Sequence, residues 1–449
     1  MVVHRPARHT RGMPPARFGR LRRLPRLASL PLGTMALAVE GAVRRAAGQD
    51  PERVRRQLRR RNAARTRRVL GELKGGALKA GQLLATLDAL FPVDPGDTWQ
   101  RALSDVPDDN PAVGFGVLEQ VLIADLGPTW RERFADFDVR PTAAASIGQV
   151  HRAVWSDGRR VAVKIQYPGI ADALRWDMRA VSLMTRAAAL AAPGLALPPL
   201  VAEMRVRLAE ELDYLREAAV QRRFARAFLD DPGVVVPQVV FATPRVLVTE
   251  WLDGTPFTRL AAGGSARDRD RAGQRYMRFL LSGPQRTGLL HTDPHPGNFR
   301  LTPGGRLGVL DFGSALEMPG GMPKTFGRLL TVLRRGGTEE ILAGLREEGF
   351  VRPGATVEAD KLADYLRPFT VPAGEPVFTF SRAWLRGQFS RVNDPRDPEF
   401  GVALQLTMPP EHLFTHRVWL GCVGVLCQLH ATVEVRDEIV RWLPGFDPG

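Results

Sequence analysis

Two short polar motifs near residue 300 most constrain what this 449-residue chain can fold into. The first runs from His291 to Asn298 and reads H-T-D-P-H-P-G-N, and the second is the D-F-G of residues 311–313. Residues 307–310 are largely apolar and come directly before Asp311, which predicts a short buried strand that ends at this carboxylate. The chain is therefore expected to bring a strand end and a polar loop together.

The spacing of these motifs predicts a nucleotide site. Asp293 precedes Asn298 by five positions, as in the catalytic loop of protein kinases, and a D-F-G follows as it does there. Phosphoryl transfer requires a carboxylate near the nucleophile and oxygen ligands that hold Mg²⁺ against the phosphates. We expect Asp293 to be catalytic, with Asn298 and Asp311 as metal ligands. A zinc or iron site of His291, Asp293 and His295 is the alternative, but it leaves Asn298 and Asp311 without a role.

The positive charge of the chain belongs to an N-terminal arm. The net charge is +15, and residues 1–70 contain 19 Arg, no Lys and 3 acidic residues, which gives +16. The rest of the chain is therefore nearly neutral, at −1.

The arm permits three interpretations. Residues 27–47 could form an amphipathic helix at an anionic membrane surface, with the flanking arginines near lipid phosphates. The same helix could instead pack on its own domain. Nucleic-acid binding is the least favoured, because only Phe18 interrupts the arginines with an aromatic ring. We expect no specific nucleic-acid partner.

The apolar segments limit where the protein resides. No apolar run is long enough for a transmembrane helix, and no signal peptide is evident. Cys422 and Cys427 lie in an apolar stretch and are predicted to be buried free thiols, which fits a reducing compartment. We expect a cytoplasmic protein, with any membrane contact peripheral and at the inner face of the membrane.

Lys164 is predicted to bind phosphate. The chain has 5 Lys against 58 Arg, so a retained lysine indicates that a compact ammonium is needed at its position. Lys164 closes a V-A-V-K segment that begins at Val161, after a hairpin turn of the D-G type at Asp157. In protein kinases the lysine of this strand contacts the α- and β-phosphates and pairs with a glutamate.

The segment before this hairpin is similar to a phosphate-binding loop in which alanine replaces two glycines. Small residues are needed there because backbone N–H groups must approach the phosphates closely, and alanine should make the loop stiffer than glycine would. A plain turn between two strands is the alternative. The predicted nucleotide contacts in this loop are Ala143, Ala144, Ala145, Ser146, Gly148 and Val150.

The glutamate that pairs with Lys164 is expected on a long helix over residues 203–228. Three acidic side chains of this helix could turn inward, and the sequence does not choose among them: Glu211, Asp213 and Glu217. Two strands are then predicted over residues 234–240 and 245–249. They lead to a hinge between two lobes, where adenine would bind near Glu250 and Leu252.

With these residues in hand, the chain resembles the UbiB/AarF family of atypical kinases from about residue 18 to residue 446. The resemblance adds a K-x-G-Q motif at residues 79–82 and an E-x-D motif at residues 211–213 to the segments already described. It implies a family-specific polar set that would consist of Lys79, Gln82, Glu211, Asp213 and Glu217. On a helix, Lys79 and Gln82 lie three residues apart on one face.

The resemblance also implies a fold and an activity. It implies a protein-kinase-like α+β fold of two lobes, in which the K-x-G-Q helices cover the place of a peptide substrate. It implies an ATPase or a kinase for small or lipidic substrates that uses ATP and Mg²⁺. It further implies a role in isoprenoid quinone or lipid metabolism at a membrane surface, with anionic lipids or a quinone-pathway lipid as partners.

Three positions depart from the pattern of the family or of protein kinases. Val220 stands where the family often has Asn, which removes a polar contact. Thr292 replaces the Arg of the protein-kinase H-R-D, and no A-P-E follows Asp311, so regulation by activation-loop phosphorylation is not expected. The membrane-spanning C-terminal helices of some members are missing from this sequence.

The sequence predicts four regions. These are a basic arm (1–50), a helical K-x-G-Q extension (51–135), a kinase-like N-lobe (136–255) and a mostly helical C-lobe (256–449). The predicted function is that of an ATP-binding kinase or ATPase. The alternative is a catalytically slow switch protein, in which ATP would control whether the arm binds a membrane or lipid.

Overall fold

The computed structural model describes residues 113–145, 147–176, 209–393, 400–403 and 405–449, with scattered positions outside these ranges. The predicted arm and most of the K-x-G-Q extension, with Lys79 and Gln82, lie outside the described residues.

The described chain begins with a sheet-rich N-lobe. Its helices and strands, in chain order, are α1 (Phe115–Leu126), β1 (Phe134–Ala144), β2 (Gly148–Trp155), β3 (Arg160–Gln166), α2 (Tyr214–Ala227), β4 (Val234–Val235), β5 (Val239–Ala242) and β6 (Val246–Glu250).

A larger, mostly helical C-lobe follows. Its elements are β7 (Thr255–Pro256), α3 (Phe257–Gly263), α4 (Ala266–Thr287), β8 (Leu289–His291), β9 (Phe299–Leu301), β10 (Leu307–Val309), β11 (Ala315–Glu317), α5 (Lys324–Arg335), α6 (Thr338–Glu347), α7 (Ala359–Gly374), β12 (Phe378–Thr379), α8 (Arg382–Asn393), α9 (Phe400–Ala403), α10 (Leu413–Leu429), β13 (Thr432–Val433) and α11 (Val435–Trp442).

Five antiparallel strands form the N-lobe sheet, in the order β1-β2-β3-β6-β5. The turn between β2 and β3 has the expected geometry, because Gly158 adopts a φ of +88° that favours glycine. In the middle of the sheet, Lys164 is the cross-strand partner of Val150 on one side and of Leu247 on the other. Cross-strand partners project to the same face of a sheet, so Lys164 and Val150 share one face.

The opposite face of the sheet packs against helix α1. Gln149 and His151 project to this side and are completely buried. The Val113 N–H donates to Gln149 Oε1 at 2.6 Å, and His151 Nδ1 lies 3.0 Å from the carbonyl oxygen of Asp138. These polar residues follow the alanine-rich loop, but they lie on the face of the sheet that packs against α1. Lys164 projects from the opposite face.

The helix that follows the N-lobe hairpin differs from the prediction. A single helix over residues 203–228 was expected, but the described chain breaks at residues 212–213 and α2 begins at Tyr214. Asp213 caps this start by accepting hydrogen bonds from the backbone N–H groups of Leu215 and Arg216, at 3.0 and 3.1 Å. A short acidic side chain satisfies the free N–H groups at a helix N-terminus, and this explains why the helix starts here.

The strand predicted over residues 234–240 is also divided in two. Strand β4 pairs in parallel with β10 of the C-lobe, whereas β5 joins the N-lobe sheet beside β6. Between them lies Pro237, which has no backbone N–H and interrupts the pairing pattern. This segment therefore connects the two lobes, because β4 pairs with the C-lobe and β5 pairs with the N-lobe.

Helix α2 is packed into the core of the C-lobe. Its residues Val220 and Phe224 belong to the same buried cluster as Phe279 of α4 and Phe312 of the D-F-G. Phe228, directly after the helix, belongs to it as well. Phe224 touches both of these rings, with centroid distances of 5.6 Å to Phe279 and 5.1 Å to Phe312. The structure confirms the predicted α+β fold with two kinase-like lobes and shows that α2 joins them.

Helix α10 packs closely against the predicted catalytic loop. A Cβ on Gly421 would lie only 2.3 Å from Cγ of Pro294, so the absence of a side chain lets α10 approach this loop. On the other side, the Tyr276 hydroxyl donates to the Pro294 carbonyl at 2.8 Å. Both contacts act on the residue directly after Asp293.

The C-terminal helices also test the predictions about apolar segments. Cys422 and Cys427 are buried free thiols, as predicted, and burial raises the pKa of Cys427 to about 12. Within the part of the chain that the structure describes, no helix is both long and apolar enough to cross a bilayer.

We predict that His416 of α10 makes the protein sensitive to acid. Burial lowers the pKa of His416 to about 4, from an ordinary value of 6.5. The unfolded chain therefore takes up this proton first, so the stabilisation is present above pH 6.5 and is lost as the pH falls towards 4. As the pH falls from 6.5 to 4, the free energy of unfolding of the wild type should decrease. The His416→Leu variant should lose about 3 kcal/mol less over the same range.

Chemical denaturation at several pH values measures this effect. The difference between the two proteins at pH 8, where the imidazole is neutral in both states, serves as the reference for packing alone. A His416→Leu variant with the same pH dependence as the wild type would contradict the assignment.

Candidate functional site

The centre of the site is an ammonium group between two carboxylates. Lys164 projects from the middle of β3, and its Nζ donates to both oxygens of Glu217, at 2.9 and 3.0 Å. The same Nζ donates to Asp311 Oδ2 at 2.9 Å. The three side chains come from the N-lobe sheet, from helix α2 and from the D-F-G, so their contact joins three separate parts of the fold.

Burial makes this contact strong. Lys164 is 16% exposed and Glu217 only 2%. Burial by itself lowers the pKa of Lys164, but the charges of Asp311 and Glu217 outweigh it, so the pKa lies well above the ordinary value for lysine. The ammonium is therefore charged at any physiological pH. The three groups together carry one positive and two negative charges, and this net negative charge favours the binding of a further cation.

The structure selects one of the three acidic side chains that the sequence left open. Glu217 is the partner of Lys164, whereas Asp213 caps the start of α2. Glu211 lies before that helix and is half-buried. The start of α2 at Tyr214 decides this outcome, because it places Glu217 in the first turn of the helix, on its buried side.

Tyr214 is a site residue that the sequence analysis missed. Its ring is fully buried, and its centroid lies 5.0 Å from Lys164 Nζ, a distance typical of a cation–π contact. Tyr214 and Glu217 are three residues apart on α2 and therefore share a helix face. An aromatic residue three positions before an inward-facing glutamate was the available signal.

Asp311 is held at the end of strand β10, as predicted. Its Oδ1 accepts a hydrogen bond from the Gly313 N–H at 3.0 Å. The His291 Nε2–H donates to the Asp311 carbonyl oxygen at 2.7 Å, and burial lowers the pKa of His291, which keeps the imidazole neutral. The Leu310 N–H donates to the Asn298 carbonyl at 2.9 Å. These bonds connect the D-F-G to both ends of the polar loop.

The polar loop places Asp293 and Asn298 next to each other. The Asn298 side-chain Nδ2 lies 3.4 Å from the Asp293 carbonyl oxygen, and this orients the amide so that its oxygen remains available. His295 accepts a hydrogen bond from the Gly297 N–H through Nδ1 at 3.1 Å. Asp293 is half-buried, as expected for a carboxylate that must reach a reactant.

The alternative metal site on this loop is not supported by its geometry. His291 is buried and bonded to the Asp311 carbonyl, whereas His295 is exposed and caps a short turn. Across the described residues, no group of three His, Cys, Asp or Glu side chains is arranged to hold a metal ion. Asn298 and Asp311 instead offer an amide oxygen and a carboxylate, which are ligand types that Mg²⁺ prefers.

The alanine-rich segment forms the turn between β1 and β2. Ala143 and Ala144 end β1 and are exposed, and the Ala145 N–H donates to the Gly148 carbonyl at 2.8 Å. Ser146 lies outside the described residues. A Cβ on Gly148 would lie 2.2 Å from the carbonyl oxygen of Ile165, so this glycine is required for its close approach to β3.

The predicted hinge follows β6 directly. Glu250 is the last residue of that strand, and its backbone N–H donates to the Gln238 carbonyl at 2.9 Å. Leu252 packs over Gly308 of β10, where a Cβ would lie 2.2 Å from Leu252 Cδ2. The hinge therefore rests on the strand that leads to Asp311.

Val220 shows how the chain accommodates its departure from the family pattern. The side chain is 9% exposed and packs in the cluster that contains Phe224 and Phe312. At this position the structure uses apolar packing beside the D-F-G, where a polar residue was expected from the resemblance.

Comparison with known proteins gives the family. The model of the ABC1 atypical kinase-like domain matches residues 105–343, which is more than half of the chain. The chain belongs to this family. The predicted resemblance to UbiB/AarF kinases is thereby confirmed.

Relatives with assigned names agree with this result. The chain is 30% identical over 435 residues to the mitochondrial atypical kinase COQ8 of Saccharomyces cerevisiae, covering 92% of this chain and 83% of that protein. It is 34% identical over 250 residues to a UbiB protein of Azotobacter vinelandii, covering 54% of this chain and 46% of that protein. Sequence similarity thus extends to both named groups of the family.

A solved structure supports the fold of this ABC1 family member. The Mycobacterium tuberculosis protein Rv3197, determined in complex with erythromycin, is 37% identical and superposes with a TM-score of 0.69. The alignment covers 88% of this chain and 99% of the other. The similarity therefore includes both lobes.

We predict that Glu217→Gln weakens both the fold and the binding of a Mg²⁺–ATP analogue. Removing one partner of a buried ion pair should lower the free energy of unfolding by about 3 kcal/mol. Because Lys164 then loses one of its two anchors, the affinity for the analogue should fall about tenfold or more. Denaturant unfolding and calorimetric titration measure the two effects.

The matched control is Glu438→Gln in helix α11. Glu438 is also 2% exposed and accepts a hydrogen bond from Arg278 Nε at 2.7 Å. Its other hydrogen-bond donors are Gln274 and Trp442, which do not belong to the proposed site. This variant should lose similar stability and keep the affinity of the wild type. If Glu217→Gln binds the analogue as tightly as Glu438→Gln does, the role given to the Lys164–Glu217 pair is wrong.

Proposed function

We propose that this protein binds ATP with Mg²⁺ between its two lobes and transfers the terminal phosphoryl group to water or to a small or lipidic acceptor. The observation that carries the proposal is the contact of Lys164 with both Glu217 and Asp311. Kinase-like enzymes need this Lys–Glu pair and the aspartate of the D-F-G together at the nucleotide site.

Each of the assembled side chains has a role in this proposal. Lys164, held by Glu217, would contact the α- and β-phosphates. Asn298 and Asp311 would hold Mg²⁺, which neutralises charge on the phosphates when bound. Asp293 would orient the hydroxyl or water that attacks.

Lys164 would change partners when the nucleotide binds. In the structure it occupies Asp311 Oδ2, one of the oxygens proposed as a metal ligand. With phosphates and a divalent cation bound, Asp311 would be a ligand of the metal. Lys164 would then donate to the phosphates, while Glu217 keeps the ammonium in place. The excess negative charge of the three groups supports this exchange.

The adenine and the phosphates would be held by the backbone of the N-lobe. The adenine would bind at the hinge near Glu250 and Leu252. The phosphates would contact the alanine-rich segment, for which we propose Ala143, Ala144, Ala145, Ser146 and Gly148 as contacts. Val150 lies on the same face of the sheet as Lys164. The side chains of the alanines are small enough for this approach, but alanine makes the loop stiffer than glycine would, and we therefore expect slow chemistry.

The segment after the D-F-G argues against a peptide acceptor. Strand β11 pairs with β8, and the Met318 N–H donates to the Gly288 carbonyl at 2.7 Å. Helix α5 begins at Lys324, so few residues are left to form a platform for a peptide. Small or lipidic acceptors, or water, fit this arrangement better.

The setting that we propose is a membrane surface. We infer that the protein is cytoplasmic and acts in isoprenoid quinone or lipid metabolism, with the basic arm of residues 1–50 in contact with anionic lipids at the inner face of the membrane. The positive charge of the arm supports its contact with anionic lipids. The similarity to proteins named COQ8 and UbiB supports the metabolic role. Within the family-specific polar set, Glu217 holds Lys164 and Asp213 caps helix α2. We propose that Lys79, Gln82 and Glu211 lie on the side of the site that the acceptor approaches.

The competing function is a switch in which ATP controls membrane binding with negligible turnover. Removing residues 1–50 separates the two functions. If the protein is a switch, the truncated protein loses liposome binding, which is the only output proposed for a switch. If the protein is an enzyme, the truncated protein keeps its basal release of phosphate.

We predict that the purified protein releases phosphate from ATP in the presence of Mg²⁺ and that Asp311→Asn reduces the rate on the order of a hundredfold or more, because a metal ligand is lost. The control is Asp437→Asn, which makes the same chemical change on an exposed position of α11. A phosphate-release assay with and without anionic liposomes measures both the activity and its coupling to a membrane.

The outcomes differ clearly. Release that depends on Asp311 and rises with liposomes supports an enzyme at a membrane. Undiminished release by Asp311→Asn contradicts the proposed site, and binding of nucleotide without release by the wild type favours the switch.

A further inference from the structure

Two hydroxyl groups form a hydrogen bond at the junction of the polar loop and the D-F-G. The Oγ1 atom of Thr292 lies 2.6 Å from the Oγ atom of Ser314. Thr292 is 2% exposed and Ser314 is half-buried. The backbone reinforces the contact, since the Thr292 N–H donates to the Ser314 carbonyl at 3.1 Å. The two residues are therefore joined twice.

This pair lies between the two carboxylates of the proposed mechanism. Thr292 directly precedes Asp293, and Ser314 follows Asp311 by three residues. Strands β8 and β11 pair only as far as His291 and Ala315. The hydroxyl bond extends this pairing by one residue, to the point where both chains turn into the site.

Packing alone does not require hydroxyl groups here. A valine and an alanine would fill nearly the same space, and two apolar partners of matching shape can replace a hydrogen-bonded pair at little cost in stability. What the hydroxyls add is direction, because a hydrogen bond fixes the distance and angle between two segments more tightly than an apolar contact does.

We infer that Thr292 and Ser314 are positioning residues that set Asp293 relative to Asp311 for phosphoryl transfer. This inference rests on the proposed function. Thr292 stands where protein kinases have the Arg of H-R-D. Its short buried side chain forms a hydrogen bond with the neighbouring Ser314. The polar loop that contains Asp293 and the D-F-G that contains Asp311 are thus held together without any modification of the chain.

Three variants separate positioning from structural support. They are Thr292→Val, Ser314→Ala and the double variant. Each single change leaves one hydroxyl without its partner, so each should lower the Tm by on the order of 2 °C. The double variant removes both hydroxyls, and most of this loss should return.

Turnover should behave differently from stability. Because only the backbone then holds Asp293 relative to Asp311, kcat should fall at least about tenfold in both single variants and in the double variant. At saturating Mg²⁺, KM for ATP should change less than about twofold. Thr292→Ser, which restores a hydroxyl, should recover most of the kcat that Thr292→Val loses. If the double variant regains both stability and kcat, the pair is structural only and the inference is wrong.

A second measurement keeps this test independent of the proposed function. The affinity for a nonhydrolysable ATP analogue is titrated at several Mg²⁺ concentrations, and the double variant should need about tenfold more Mg²⁺ than the wild type for the same affinity. An unchanged requirement for Mg²⁺ would overturn the inference. Absence of any phosphate release by the wild type would instead count against the proposed function, and the Mg²⁺ titration would still decide the role of the pair.

Discussion

The structure depends on one buried ammonium group that holds two carboxylates from different parts of the chain. Lys164 is supplied by the central strand of the N-lobe, Glu217 by helix α2 and Asp311 by the D-F-G. Two carboxylates this close would repel each other in a poorly solvated site, and the ammonium removes that repulsion. Replacing it by a neutral group would leave two uncompensated charges. The relative placement of the lobes is thus tied to the charge of a single lysine.

Apolar packing around this group fixes the segments that carry the two carboxylates. Helix α2 buries Phe224 against Phe312, so the helix that carries Glu217 and the loop that carries Asp311 share one apolar core. The parallel pairing of β4 with β10 adds a second connection between the lobes. A helix fixed in this way is not free to swing away from the lysine, as helices attached only to the N-lobe can. Packing therefore fixes Glu217 and Asp311 relative to each other.

The sequence predicted those parts of the site that depend on local spacing. The D-F-G at a strand end and the hairpin before Lys164 follow from motifs whose members are close along the chain. The two-lobe fold was predicted from the family resemblance that these motifs carry. The choice of Glu217 did not follow, because several acidic residues recur with helical spacing. It was decided by Asp213, which starts α2 at Tyr214 and so fixes which side of the helix is buried.

Contacts between distant segments were beyond the reach of sequence reasoning. The bond between Thr292 and Ser314 joins residues 22 positions apart, and nothing in either segment indicates the other. The same is true of Gly421, whose missing side chain makes room for Pro294 more than a hundred residues away. Such contacts arise from tertiary packing, which a pattern along one chain does not encode.

A crystal structure of the protein with Mg²⁺ and a nonhydrolysable ATP analogue would test the central claim most directly. The account predicts a metal ion within about 2.2 Å of oxygens of Asp311 and Asn298. It also predicts that Lys164 Nζ contacts the phosphates while it remains within hydrogen-bond distance of Glu217. A nucleotide bound elsewhere, or bound with Lys164 still on Asp311 and no metal between them, would contradict it.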